Sequence, residues 1–142
     1  MNNSKFITAP KAAAGAVVIN EGRVLLVKRK YPPQKGKWAI PGGLVKLGET
    51  LQEAAERETH EETGLIIKAR EPVHTLDLIE RDSDGEILFH YVIVDLLADY
   101  VEGEVSPADD VSDAGWFHPD EVQNLDLTKT TKYLLEKMEF LG

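Results

Sequence analysis

Four glutamates lie close together in one segment of this 142-residue chain: Glu49, Glu58, Glu61 and Glu62. On a helix of 3.6 residues per turn, Glu58 and Glu62 lie one turn apart and Glu61 falls between them, so three carboxylates share one face. Like charges at this spacing repel unless a positive group lies between them. Mg2+ takes oxygen ligands, usually one or two carboxylates together with substrate phosphates. The segment therefore indicates a metal platform for phosphate chemistry.

The residues around these glutamates form a specific pattern. Positions 43–65 read GLVKLGETLQEAAERETHEETGL. The matching positions are Gly43, Glu49, Arg57, Glu58, Glu61, Glu62, Gly64 and Leu65. Each identity has a chance frequency of roughly 0.06, so an accidental match of the whole set is very improbable. The pattern resembles the signature box of the Nudix hydrolases, and the resemblance extends over positions 11–122.

This resemblance implies a metal-dependent enzyme. It implies hydrolysis of the diphosphate bond of a nucleoside diphosphate linked to another moiety, with Mg2+, or Mn2+ in its place, as the cofactor. It assigns Glu58, Glu61 and Glu62 to the metal-ligand positions and Glu49 to an outer ligand position. Arg57 is then expected to orient the glutamates, since a guanidinium can hold two carboxylates in fixed geometry.

Substrate contacts are predicted just before the box. Gly42 and Gly43 are expected to form a tight loop whose backbone approaches the site. Trp38 is a candidate surface on which a nucleobase stacks, with a place in the core as the competing interpretation. The other candidate aromatic residues are Tyr31, Phe89 and Tyr91.

A general base is often supplied in this family by a loop after the last long strand. Asp109 or Asp110, shortly before Trp116, is the candidate here, and Asp110 is the one we place in the catalytic set. A turn-forming aspartate pair is the competing interpretation. Glu61 is the other candidate for the base.

One position departs from the family pattern. The residue after Arg57 and Glu58 is usually a large aliphatic residue, and here it is Thr59. A threonine on the buried side of the helix loses apolar packing, but its hydroxyl can bond to a backbone carbonyl one turn earlier. We expect slightly looser packing at this point.

The substrate is left open among related choices. Positions 35–43, reading KGKWAIPGG, resemble the ADP-ribose pyrophosphatase-like branch, so ADP-ribose or a related nucleotide sugar is the first hypothesis. The proline that marks many ADP-ribose enzymes is missing, since Glu80 and Arg81 occupy that region. Hydrolysis of oxidised nucleoside triphosphates to the monophosphate and pyrophosphate is the second hypothesis. A non-catalytic nucleotide sensor on the same fold is the third.

Composition restricts the partners. A net charge of −9 argues against broad contact with nucleic acid or anionic lipid, because both require a basic surface. The absence of cysteine excludes disulfides and thiolate zinc sites, and a cytoplasmic location is the simplest expectation. The length and the 42% hydrophobic content suit one domain over positions 1–142, with 1–10 as a loose arm. A homodimer in which Phe6 and Ile7 of this arm exchange between subunits is a further expectation.

The pattern of apolar residues predicts the elements that position the site. Alternating apolar runs predict hairpins over 12–29 and 66–98, with turns at 20–22 and 82–85. A helix is expected from the N-cap Thr50, with Glu53 completing a capping box, to the C-cap Gly64. A loop over 101–110, a short buried strand at 114–117, a helical turn at 119–122 and a helix at 129–140 follow. This order predicts an α/β protein, a Nudix-type α/β/α sandwich with a mixed β-sheet.

Overall fold

The computed structural model describes residues 8–32 and 34–140. Within these residues it contains seven strands and three helices. In chain order they are β1 (Lys11–Asn20), β2 (Arg23–Arg29), β3 (Trp38–Ala39), β4 (Gly42–Leu44), α1 (Leu51–Thr63), β5 (Ile66–Arg81), β6 (Ile87–Glu102), β7 (Val111–Phe117), α2 (Pro119–Val122) and α3 (Lys129–Lys137). Most of the predicted N-terminal arm, including Phe6 and Ile7, lies outside the described residues.

The strands form one mixed sheet around β1. The order is β3-β2-β1-β6-β5, while β4 pairs with β1 and β7 pairs with β2. Strands β1 and β6 run parallel, from the pair Lys11 and Tyr91 to the pair Val18 and Ala98. The other pairings are antiparallel, including the long β5–β6 hairpin. The predicted α/β fold with a mixed sheet is confirmed.

Two hydrophobic cores lie on opposite faces of this sheet. Side chains alternate along a strand, so Ala14 and Ala16 of β1 pack toward α1. Val17 instead packs with Leu134 and Leu135 of α3. Helix α1 therefore covers one face and α3 covers the other, which gives the sandwich its three layers.

Helix α1 begins and ends at the predicted caps. The Thr50 side chain accepts from the Glu53 backbone N–H at 3.0 Å, and the Glu53 carboxylate accepts from the Thr50 N–H at 2.8 Å. Gly64 closes the helix in the left-handed conformation, at φ 78°. These caps fix the ends of the helix that carries the glutamates.

Four local predictions need correction. The Gly42–Gly43 segment is part of strand β4 and not a loop, because it pairs with β1. Strand β6 continues into the segment predicted as a loop, and β7 begins at Val111. Helix α3 ends at Lys137, before position 140.

The expectation for the Thr59 hydroxyl was wrong. Thr59 is fully buried, yet its Oγ1 has no hydrogen-bond partner among the described residues. The bond to a backbone carbonyl one turn earlier is made instead by Thr63, whose hydroxyl donates to the Thr59 carbonyl at 2.7 Å.

No helix in the described part of the chain combines the length and the apolar character that crossing a membrane requires.

Candidate functional site

Arg57 lies at the centre of the glutamate cluster. Its Nε and one terminal nitrogen donate to the two Glu49 oxygens, at 2.7 and 3.0 Å. The other terminal nitrogen donates to Glu58 at 3.1 Å and to Glu61 at 3.0 Å. A fifth bond, at 3.0 Å, reaches the Leu44 carbonyl of β4. The guanidinium thus uses its five N–H donors to fix three carboxylates and one strand.

Glu49 is engaged by protein donors on both of its oxygens. Besides the bonds from Arg57, it accepts from the Lys46 backbone N–H at 2.9 Å. The Arg57 bond and the Lys46 bond lower the pKa of Glu49 to about 2. The same contact with Glu49 raises the pKa of Arg57. This pair therefore stays ionised at neutral and mildly acidic pH.

Glu58, Glu61 and Asp109 form the group that we call the carboxylate trio. One oxygen from each residue lies within 4.8 Å of the other two. Three convergent carboxylate oxygens are the donor set that Mg2+ and Mn2+ prefer, so the residues fit a hard divalent cation. The structure thus brings Asp109 into a group with Glu58 and Glu61, while Asp110 lies near enough to Glu58 and Glu62 for its charge to raise the pKa of both.

The neighbouring carboxylates change the pKa of Glu58. Burial raises its pKa, and the bond from Arg57 opposes that rise. The charges of Glu61 and Asp110 raise it further. A cation within the carboxylate trio would relieve this repulsion.

The loop between β6 and β7 carries Asp109 to α1. The Ser106 N–H donates to the Thr63 carbonyl at 2.8 Å, and the Ala108 N–H donates to the Glu62 carbonyl at 3.0 Å. Asp109 itself adopts a left-handed conformation, at φ 59°. The end of α1 therefore holds the loop in place, a tertiary contact that no sequence pattern predicts.

Glu62 is set apart from the carboxylate trio. Its side chain is buried, and Oε1 accepts a long bond from the Gly42 N–H at 3.4 Å. It borders a small cavity of about 60 Å3 together with Arg29 and Asp110. Burial, followed by the charges of Glu58 and Asp110, raises its pKa to about 9.

Gly42 and Gly43 provide close packing rather than loop freedom. A Cβ atom at Gly43 would overlap the Glu58 carboxylate. A Cβ atom at Gly42 would lie 2.5 Å from the Ala14 carbonyl oxygen of β1. Only glycine at these positions lets β4 lie between β1 and the carboxylates of α1.

A second cavity, which we call the large cleft, lies on the α3 face of the sheet and measures about 470 Å3. Leu76 and Leu78 of β5, with Phe89, Tyr91 and Ile93 of β6, form its apolar wall. It joins the small cavity beside Glu62 through shared lining residues. These are Arg29, Ala39, Ile40 and Gly42. The large cleft and the small cavity beside Glu62 therefore adjoin one another.

The candidate aromatic residues separate into two groups. Phe89 and Tyr91 line the large cleft, with their rings stacked at 5.2 Å. Trp38 lies in the core, only 9% exposed, with its ring edge-on to Phe117 at 5.0 Å. Tyr31 is exposed and does not line the large cleft. The structure therefore places Trp38 in the core, as the competing interpretation expected, and not at an open stacking surface.

Sequence reasoning missed the acidic residue of the large cleft, Asp95. It is buried on β6, and burial raises its pKa to about 6. An acidic residue inside the apolar run of 87–98 was the available signal.

Comparisons with known proteins agree with this geometry. The NUDIX domain model matches residues 9–138. The ADP-ribose pyrophosphatase of Methanocaldococcus jannaschii is 37% identical over 108 residues, which is 76% of this chain and 62% of that protein. The oxidized purine nucleoside triphosphate hydrolase of Danio rerio is 33% identical over 146 aligned residues, covering 100% of this chain and 86% of that protein. The crystal structure of a MutT NUDIX hydrolase from Burkholderia pseudomallei matches with a TM-score of 0.71 at 32% identity, over 91% of this chain and 98% of that one.

Proposed function

Because this chain belongs to the Nudix hydrolase family, we propose that it hydrolyses the diphosphate bond of a nucleoside diphosphate linked to another moiety. We propose ADP-ribose or a related nucleotide sugar as the substrate. The observation that carries the proposal is the carboxylate trio, of which Arg57 holds Glu58 and Glu61 in position. Gly43 packs against the Glu58 carboxylate and also lines a cleft large enough for a nucleoside. The similarity to the Methanocaldococcus jannaschii ADP-ribose pyrophosphatase supports the choice of substrate.

The cofactor in this proposal is Mg2+, with Mn2+ as a substitute. Glu58, Glu61 and Asp109 would hold the ion, and Glu49 would act through Arg57. When bound, such an ion offsets phosphate charge and lowers the pKa of a bound water. Glu62, whose carboxylate lies beside the Gly42 N–H, would join on the side of the small cavity.

The proton acceptor has two candidates, Glu61 and Asp110. The Glu61 side chain is 40% exposed and belongs to the carboxylate trio. Asp110 is exposed and borders the small cavity with Glu62. Replacing Asp110 with Asn separates them: a rate near that of the wild type would leave the proton with Glu61 or with a metal-bound water.

A second candidate function is hydrolysis of oxidised nucleoside triphosphates. The observation in its favour is the coverage of the Danio rerio relative, which matches the full chain, whereas this chain spans less than two thirds of the Methanocaldococcus jannaschii protein. The same site residues would serve, because the bond cleaved is again a phosphoanhydride.

A substrate panel tests both proposals. ADP-ribose, nucleotide sugars and oxidised nucleoside triphosphates would be incubated with Mg2+, with Mn2+ and with EDTA, and the products separated by chromatography. We expect AMP and ribose 5-phosphate from ADP-ribose, with either metal and not with EDTA. Release of pyrophosphate from a triphosphate at a much higher kcat/KM would favour the second candidate. Nucleotide binding without turnover of any substrate would contradict both and indicate a sensor.

A further inference from the structure

The large cleft contains a buried acidic group. Alternation along β6 places Phe89, Tyr91, Ile93 and Asp95 on the same face of the strand, and all four line the cleft. Among the described residues that line this cleft, Asp95 alone is acidic. The residue is 5% exposed, so it is largely removed from solvent.

The Asp95 carboxylate has no protein partner in the described part of the chain. Its pKa is raised by burial alone, without a hydrogen bond or a charge to lower it. On the same strand Asp99, which is exposed, pairs with Arg70. Asp95 is one of the residues that line the large cleft, so its carboxylate borders the space that a ligand would occupy. A buried carboxylate left in this state costs free energy unless a ligand donates to it.

The backbone opposite makes room for this carboxylate. Gly15 of β1 pairs with Asp95, and a Cβ atom at Gly15 would lie 2.6 Å from Oδ1 and 2.9 Å from Ile40 Cδ1. Any other residue at Gly15 would push the carboxylate or Ile40 aside. The position of the acidic group is therefore fixed by β1 and by Ile40, and it does not depend on a flexible loop.

We infer that Asp95 recognises an exocyclic amino group of a purine base bound in the large cleft. This inference rests on the nucleotide specificity proposed above. An ionised carboxylate only accepts hydrogen bonds, so it selects a donor. The flat apolar wall that includes Phe89 and Tyr91 suits the body of a base, whereas its amino edge needs the acceptor that Asp95 supplies. A ribose hydroxyl is also a donor, and the experiment below distinguishes it from an amino group.

Equilibrium binding of mononucleotides in EDTA tests the inference without requiring catalysis. AMP is compared with purine riboside 5′-monophosphate, and GMP with IMP, because each pair differs only in one amino group. In one pair we expect the amino nucleotide to bind about tenfold more tightly, the weight of one hydrogen bond to a charged group. Asp95→Asn should remove that preference, because an amide both donates and accepts.

The matched control is Asp77→Asn. Asp77 is exposed on the neighbouring strand β5, between the cleft-lining Leu76 and Leu78, so its side chain points to the other face. This variant should keep the preference of the wild type. Thermal unfolding shows whether Asp95→Asn folds. If it does not, the wild-type preference for the amino nucleotide within each pair still tests the inference.

Three outcomes would overturn the inference. The wild-type protein could bind both members of each pair equally. The preference could survive in Asp95→Asn. The variant could weaken all four nucleotides by the same factor, which would move the contact from the base to the ribose. Absence of hydrolysis in the substrate panel would refute the proposed activity alone, because these binding measurements do not depend on turnover.

Discussion

The carboxylates on the two faces of the sheet differ in their hydrogen-bond partners. On the α1 face, Arg57 binds three glutamates and holds two members of the carboxylate trio in place. On the α3 face, Asp95 is buried with no donor from the described protein. Carboxylates that bind a cation need a fixed geometry before the cation arrives. A carboxylate that binds a substrate must instead remain accessible to that substrate.

Removing one member of the carboxylate trio should have the largest effect. Glu61→Gln or Glu58→Gln takes away a negative ligand while keeping the shape of the side chain, so turnover should fall on the order of a thousandfold. The measurement is kcat on the best substrate of the panel, with thermal unfolding as the test of fold. Glu136→Gln, at an exposed position of α3, is the control and should leave kcat unchanged. Full activity in the Glu58→Gln, Glu61→Gln double variant would contradict the metal assignment.

Replacing the central guanidinium should have the next largest effect. Arg57→Lys keeps the charge but cannot make five bonds to Glu49, Glu58, Glu61 and Leu44. Residues that orient metal ligands typically contribute tenfold to a hundredfold in affinity or activity, so we expect Mn2+ affinity to weaken by about that factor. Calorimetric titration of Mn2+ measures it.

The matched control is Arg70→Lys. Arg70 forms an exposed ion pair with Asp99 and makes no contact with the carboxylate trio among the described residues, and such pairs contribute little. Equal Mn2+ affinity in the Arg57→Lys variant and the wild type would show that the trio is held by the backbone alone.

The same contrast explains which parts of the molecule the sequence predicts. The α1 face depends on residues close together along the chain, so helix periodicity and the caps Thr50 and Gly64 were enough to predict the helix and its acidic face. The hairpins followed from alternation, which is also local. Asp109 was only one of two candidates, because its approach to α1 depends on contacts of the loop with the end of the helix.

The contacts on the α3 face join residues far apart along the chain and were largely unpredictable, although the helix and the hairpin that form this face were predicted. The pairing of Gly15 with Asp95 and of Gly42 with β1 joins distant segments, and glycine carries no strand signal of its own. Strand β4 was therefore expected as a loop. Trp38 was ambiguous for the same reason, since a tryptophan suits a core and a binding surface equally until its neighbours are known.

The pH dependence of stability separates Glu62 from the ion-paired glutamates. In EDTA, folded Glu62 keeps its proton up to a pKa of about 9, whereas the unfolded carboxyl ionises near its ordinary value. The folded state binds more protons between these two values, so stability falls as pH rises from about 4.5 to about 9. Glu49, whose pKa is lowered to about 2, changes stability only at acidic pH.

Glu62→Gln tests this assignment. The variant should be more stable than the wild type at pH 8 by on the order of 2 kcal/mol, and its stability should fall less between pH 6 and 9. Urea unfolding at several pH values in EDTA measures both. Parallel pH profiles for the variant and the wild type would show that Glu62 ionises freely in the fold. The control is Glu80→Gln, at an exposed position of β5, whose profile should follow that of the wild type.

Replacing Thr59 should have the smallest effect on stability. Thr59 can be compared directly with Asp95. Both carry a polar group without a partner among the described residues, but the Thr59 hydroxyl is sealed in the core while Asp95 opens to the large cleft. Thr59→Val keeps the branched shape and removes only the hydroxyl, so it should stabilise the protein by about 1 kcal/mol without changing nucleotide binding. Thr63→Val is the matched control, because it loses the bond to the Thr59 carbonyl and should destabilise by about the same amount. Urea unfolding decides: if the two variants lose equal stability, the Thr59 hydroxyl has a partner after all, and the distinction between a sealed polar group and one open to a ligand fails.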